Sequence, residues 1–188
     1  MKKVLFYLFV ICLVSCGKDA SIAIGKSAAF MVNAQEIIVD ECNNISKVWG
    51  DAIHYDGCYV EKSGYEVINS RNWNYLNTKD LSDFTYCSNF NEALRVYDRS
   101  SRHAWMMGMA NEQMDSCRFY LAQMSSPKKK QKEICEQAKR AFRALQSVYD
   151  CADSPSGSYQ SYNSDTRSKN NRFMEEFRIL EDMMRYAE

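Results

Sequence analysis

His103, Met106, Met107, Met109 and Met114 form the densest group of side chains with ligand chemistry in this chain. Thioethers together with an imidazole suit Cu(I), and His103 and Met107, four residues apart, share one face of a helix. That pair is the candidate metal site, and the function it implies is a copper-binding helical protein. The competing reading is a methionine-filled core. Met107 and Met114 lie seven residues apart on an apolar track, whereas Met106 and Met109 fall off it. His54, with Asp51 behind it and Cys58 ahead, makes a smaller ligand group. A histidine at that place is equally favoured by the dipole of a helix C-terminus.

Other chemistry is thinly supplied. Two histidines in the whole chain leave little for imidazole acid–base work or zinc hydrolysis. The sequence holds neither a Gly-x-Ser-x-Gly elbow nor a glycine-rich phosphate loop. Glu175, Glu176, Glu181 and Asp182 read as the solvated face of an amphipathic helix. The expectation is a protein that is not an enzyme and calls for no cofactor. Asn72-Trp73-Asn74-Tyr75 is the better candidate for partner contact: flat rings beside amides, with Trp73 and Tyr75 the residues to hold a sugar or a peptide. A lid over one end of a helical body is the alternative for that stretch.

Residues 1–16, MKKVLFYLFVICLVSC, join two lysines to an apolar run from Val4 to Val14 and a Ser15-Cys16 end. This order is that of a secretory signal. Leu13-Val14-Ser15-Cys16 resembles the lipobox of bacterial lipoproteins. The resemblance covers the leader alone and implies a diacylglyceryl group on the Cys16 sulfur, removal of residues 1–15 and an acylated new N-terminus. Eleven apolar residues would span only about 16 Å of a hydrocarbon core about 30 Å thick. Two or more acyl chains, at about 0.8 kcal/mol per buried methylene, make a durable anchor without a spanning helix. Gly17 differs from the aspartate of the inner-membrane retention signal of enteric bacteria, which favours the outer membrane. The function expected is a lipid-anchored, non-enzymatic binding or scaffold module of the cell envelope. The periplasmic copper protein and an inhibitor of an envelope hydrolase are the alternatives, and the partner would be an envelope protein or a glycan.

Without Lys2 and Lys3, Lys plus Arg falls from 24 to 22 against 24 Asp plus Glu, a balance of −2. Nucleic acid, which needs a concentrated basic surface, is not an expected partner. Lys128, Lys129, Lys130 and Lys132 cluster at the start of a helix, where positive charge opposes the dipole. Anionic headgroups beside the anchor would give each about 1 kcal/mol; a solvated turn is the plainer reading.

Six further cysteines, Cys42, Cys58, Cys87, Cys117, Cys135 and Cys151, are an even set in an exported chain and suit disulfides. No Cys-x-x-Cys pair is present to suggest a zinc ribbon or a thioredoxin-type site.

The elements that would position these groups are helical. Met31, Ile38, Ile45 and Ala52 recur every seven residues, with Ala34 and Val48 beside them, and Gly57 is a stop. Ser88 can cap a second helix carrying two tracks, Met107-Met114-Leu121 and Val96-His103-Ala110-Cys117-Met124. Ser126-Pro127 opens a third, with Ile134, Ala138, Ala141, Leu145, Val148 and Ala152 on its apolar face. Phe173, Phe177, Leu180, Met184 and Ala187 mark a fourth. The pattern predicts an all-α, up-and-down bundle of about four helices, with residues 16–27 a tether and 28–188 one helical domain. Residues 58–87 form a long aromatic-rich loop with local helical turns, and 153–167 an exposed linker. A hairpin turning at Ser126 brings Cys117 opposite Cys135. The same up-down order pairs Cys58 with Cys87 and Cys42 with Cys151, each closure contributing roughly 2–4 kcal/mol.

Overall fold

The computed structural model describes residues 18–124 and 129–186, apart from the side chains of Lys18, Asp19, Trp73, Lys129 and Lys130. Cys16, the Ser126-Pro127 turn, Lys128 and Ala187 lie outside the described residues. The chain is broadly all-α: the described residues are 74% helix, in six helices with a small three-stranded sheet. In order these are α1 (Lys18–His54), β1 (Cys58–Glu61), β2 (Val67–Asn69), α2 (Trp73–Leu76), β3 (Phe84–Cys87), α3 (Phe90–Asp98), α4 (Ser101–Ala122), α5 (Lys129–Asp153) and α6 (Tyr159–Arg185).

Contacts divide the chain into two compact units. One takes the described residues up to Glu36, Ala110–Tyr149 and those from Arg167 on; the other takes Ile37–Met109 and Asp150–Thr166. The described elements of the first unit are all helices. Ala28, Met31, Met114, Cys117, Ala138, Leu145, Phe173 and Leu180 are buried there, as the seven-residue tracks require. Phe30 stacks on Tyr120 at 5.7 Å, and Gln137 reaches across to Glu176 through a 2.7 Å hydrogen bond. Residues 18–27, expected as tether, are the first turns of α1, where Ala23, Ile24 and Ser27 are buried. By length and composition α1 is apolar enough to cross a bilayer, a test that core helices of globular proteins also pass.

The second unit departs most from expectation. Its three strands run in the order β2-β1-β3, antiparallel throughout, inside the segment expected to be a loop. Strands of three and four residues are too short to show a sustained alternation, so the sequence pattern hides them. The expected helical turn does occur, as α2. Helix α1 ends at Asp56 and Gly57, both with positive φ (57° and 122°), and the Gly57 N–H bonds back to Ala52 O. A Cβ on Gly57 would stand 2.8 Å from Cys87 O, so the turn that feeds β1 needs glycine.

The second expected helix is two. Asn89, not Ser88, caps α3: its side chain accepts from Glu92 N–H, and Glu92 Oε2 accepts from the N–H of Ser88, the residue before the cap. The break after Arg99 is made by the β1–β2 turn, where Ser63 O accepts from the Arg102 N–H. Gly64, at φ 82°, lies so close that an added Cβ would come within 2.6 Å of Ser100 Cβ. The linker is also shorter than 153–167, because Ser158 Oγ accepts from Ser161 N–H and starts α6 at Tyr159.

Candidate functional site

A carboxyl and an imidazole meet in the interior of the second unit. Glu41 lies on α1 between the buried Ile38 and Ile45, and its side chain is fully enclosed. The break between α3 and α4 aims two more groups at it. Ser100 Oγ accepts from the His103 N–H at 3.2 Å and caps α4, which places His103 in the first turn. From there His103 Nδ1 comes 2.6 Å from Glu41 Oε1. Tyr97, on the last turn of α3, donates its hydroxyl to Glu41 Oε2 at 3.2 Å, and Asn44 Nδ2 donates to the same oxygen at 3.3 Å. The other imidazole nitrogen, Nε2, stands 3.4 Å from Asp98 Oδ1 at the protein surface.

The electrostatics follow from this geometry. The hydrogen bond to Glu41 holds the His103 pKa above the ordinary imidazole value, against burial, with Glu41, Asp98 and Asp153 adding in the same direction. Burial, reinforced by the Glu41 carboxylate, drives the Tyr97 hydroxyl well above the usual phenol range. The His103 imidazole thus lies between the buried Glu41 carboxyl and the exposed Asp98 carboxyl, a setting that favours its protonated form. Its Nδ1 is held by Glu41 in the interior, and its Nε2 faces Asp98 at the surface. The arrangement is a clasp joining α1, α3 and α4.

The sequence-derived metal candidates fall differently. Met107 and Met106 are buried beside the core track, while His103 turns its nitrogens to Glu41 and Asp98. His54 is exposed and stands edge-on to the Tyr159 ring at 5.6 Å. Among the described residues no three His, Cys, Asp or Glu side chains gather as a metal group.

The second constellation is on the sheet. Directly opposed residues of an antiparallel pair share a face, so Tyr59, Tyr86 and Ile68 lie on one side and Cys58, Cys87, Val60 and Thr85 on the other. The Tyr59 and Tyr86 rings approach to 5.1 Å. On the same side as those rings Phe84 faces Glu61 across the strands. Lys79 caps the group, its ammonium 5.1 Å from the Tyr75 ring and 5.9 Å from that of Phe84, and it pairs with Glu66. Tyr75 donates to the same carboxylate, and these two hydrogen bonds hold Glu66 below the usual carboxylate range. Tyr55, Tyr65, Tyr75 and Tyr86 are all exposed, Tyr65 by 62%. The candidate Tyr75 belongs to the Lys79–Glu66 group, and the backbone of Trp73 opens α2 beside it.

None of the six described cysteines is in a disulfide, so the three expected staples are not present in this structure, and all six are buried. Cys58 and Cys87 are register partners, Cys42 interacts with Cys151, and Cys117 donates to Ser27 O at 3.5 Å. Cys135 lines an open groove of about 560 Å³ with Leu121, Met124, Lys132 and Lys139. Of the expected lysine group, Lys132 alone has a described side chain. No known family, curated protein or solved structure matches this chain.

Proposed function

We propose that this chain is a lipid-anchored, non-enzymatic protein of the bacterial envelope whose sheet-bearing segment, residues 55–86, binds a protein partner. The anchor rests on Leu13-Val14-Ser15-Cys16, with the outer membrane as its address. The helices are arranged up and down as a bundle. The observation that carries the binding role is the clustering of Tyr55, Tyr65, Tyr75 and Tyr86 as exposed side chains within one stretch of the second unit. Tyrosine offers a large amphipathic surface at low entropic cost and is enriched where proteins meet. Strands β2 and β3 are also the edges of the sheet, and edge strands offer backbone groups to a partner strand. The hydrogen bond of His103 Nδ1 to the buried Glu41 supports a structural role for the histidine.

In-cell photo-cross-linking of the anchored full chain tests this. A cross-linking residue placed at Tyr86 is expected to trap an envelope protein; one placed at the exposed Phe119 of the first unit is not. Trapping at Phe119 with none at Tyr86 contradicts the assignment, and trapping of a glycan at Tyr86 replaces the protein partner with a sugar.

A further inference from the structure

Cys58 and Cys87 are Cα partners across the β1–β3 ladder. Directly opposed residues in an antiparallel pair hold their Cα atoms about 4.5–5.5 Å apart, within the range of about 4.4–6.8 Å that a disulfide spans. They share one face of the sheet, and the thiols are close enough that ionisation of Cys87 would hinder that of Cys58. Both are fully buried. We propose that Cys58 and Cys87 are the site of a cross-strand disulfide, set while the β1–β3 ladder is open and sealed when it closes.

The oxidant is a disulfide, small or protein-borne, which an exported chain meets outside the cytoplasm. One cysteine thiolate attacks a sulfur of the oxidant, releasing one thiol and leaving a mixed disulfide. The second thiolate then displaces the other half. In sum two S–H bonds and one oxidant S–S bond are lost, one protein S–S bond and two oxidant thiols are gained, and two electrons pass to the oxidant. Only the thiolate is a nucleophile, and burial in the closed sheet pushes Cys58 up to about 12 and Cys87 to about 11. The folded sheet therefore protects whichever redox state it closes around. Joining β3 to β1 covalently would also fix the strands that carry Tyr59 and Tyr86, so the bond would hold the proposed binding face in register.

The tryptic cleavage pattern isolates the pair: residues 48–62 contain Cys58 as their one cysteine, and residues 80–95 contain Cys87 as theirs. The full chain is unfolded in urea, reduced, and refolded in a buffer of oxidised and reduced glutathione. It is then alkylated and digested without reduction. The two peptides are expected to be recovered joined, and to separate on reduction. Recovery of both as alkylated single peptides, or joined to other cysteines, overturns the proposal. A Cys58→Ser chain should leave Cys87 alkylated; a new partner for Cys87 in that chain would contradict the register argument. Adding the same buffer to the folded, reduced chain should close the bond at least tenfold more slowly than during refolding. Equal rates would overturn the role of the closed ladder. None of these readings depends on a binding partner, so they stand or fall apart from the proposed function.

Discussion

Replacing His103 by alanine tests the clasp at its centre. The Glu41 carboxyl has no contact with solvent, and His103 supplies its shortest hydrogen bond at 2.6 Å. Breaking one side of a buried ion pair costs about 3–5 kcal/mol, because the remaining charge is left uncompensated. Tyr97 and Asn44 still donate to Glu41 Oε2, which places the expected loss near the lower bound, about 3 kcal/mol. With a urea slope of about 2 kcal/mol per molar, the unfolding midpoint should fall by about 1.5 M. The pH dependence gives an independent sign. A histidine whose folded pKa is raised contributes stability that is complete below about pH 6.5 and is lost as pH rises through the folded value. The parent chain should therefore lose stability from about pH 6.5 upward, and His103→Ala should lack that component. Converting the pair to Glu41→Leu with His103→Leu removes both charges and should recover at least half of the loss. The assay is urea unfolding followed by circular dichroism across that pH range. A His103→Ala loss below about 1 kcal/mol, with an unchanged pH profile, would refute the clasp.

Three further outcomes are expected. Gly64→Ala forces a side chain into a positive-φ turn and against Ser100, and should cost about 1–3 kcal/mol, read as a lower midpoint in thermal unfolding. Asn89→Ala removes the α3 cap and should cost about 1 kcal/mol, while Asn89→Asp should keep most of it. Trp49, buried between the Phe90 ring at 5.5 Å and the Tyr162 ring at 5.3 Å, should cost about 3–5 kcal/mol as Trp49→Ala in equilibrium unfolding.

The helical tracks were legible because their period exceeds any local accident. Met31, Ile38, Ile45 and Ala52 repeat over three heptads, and all four are buried. The sheet was hidden by its size, since three residues of β2 carry too little alternation to separate a strand from a loop. The α3–α4 break leaves no mark of its own: neither proline nor glycine stands at Arg99-Ser100, and the cause is Ser63 and Gly64, nearly forty residues earlier. Pro155 and Gly157 signal a turn, but the polar residues after them belong to the exposed face of α6, where their composition is the same as that of a linker. The site itself could have been suspected from Glu41, which lies three residues after Ile38 and four before Ile45 on the apolar face. A carboxylate at such a position needs a buried partner. Which residue answered it depended on the break that re-aims His103, and that information is tertiary.

Lipid anchoring at Cys16 is tested most directly by the intact mass of the protein extracted from its native envelope. It predicts a chain beginning at Cys16 and carrying the added mass of fatty acyl groups on that residue. A mass matching the full chain with residues 1–15 attached and no acyl addition would contradict it.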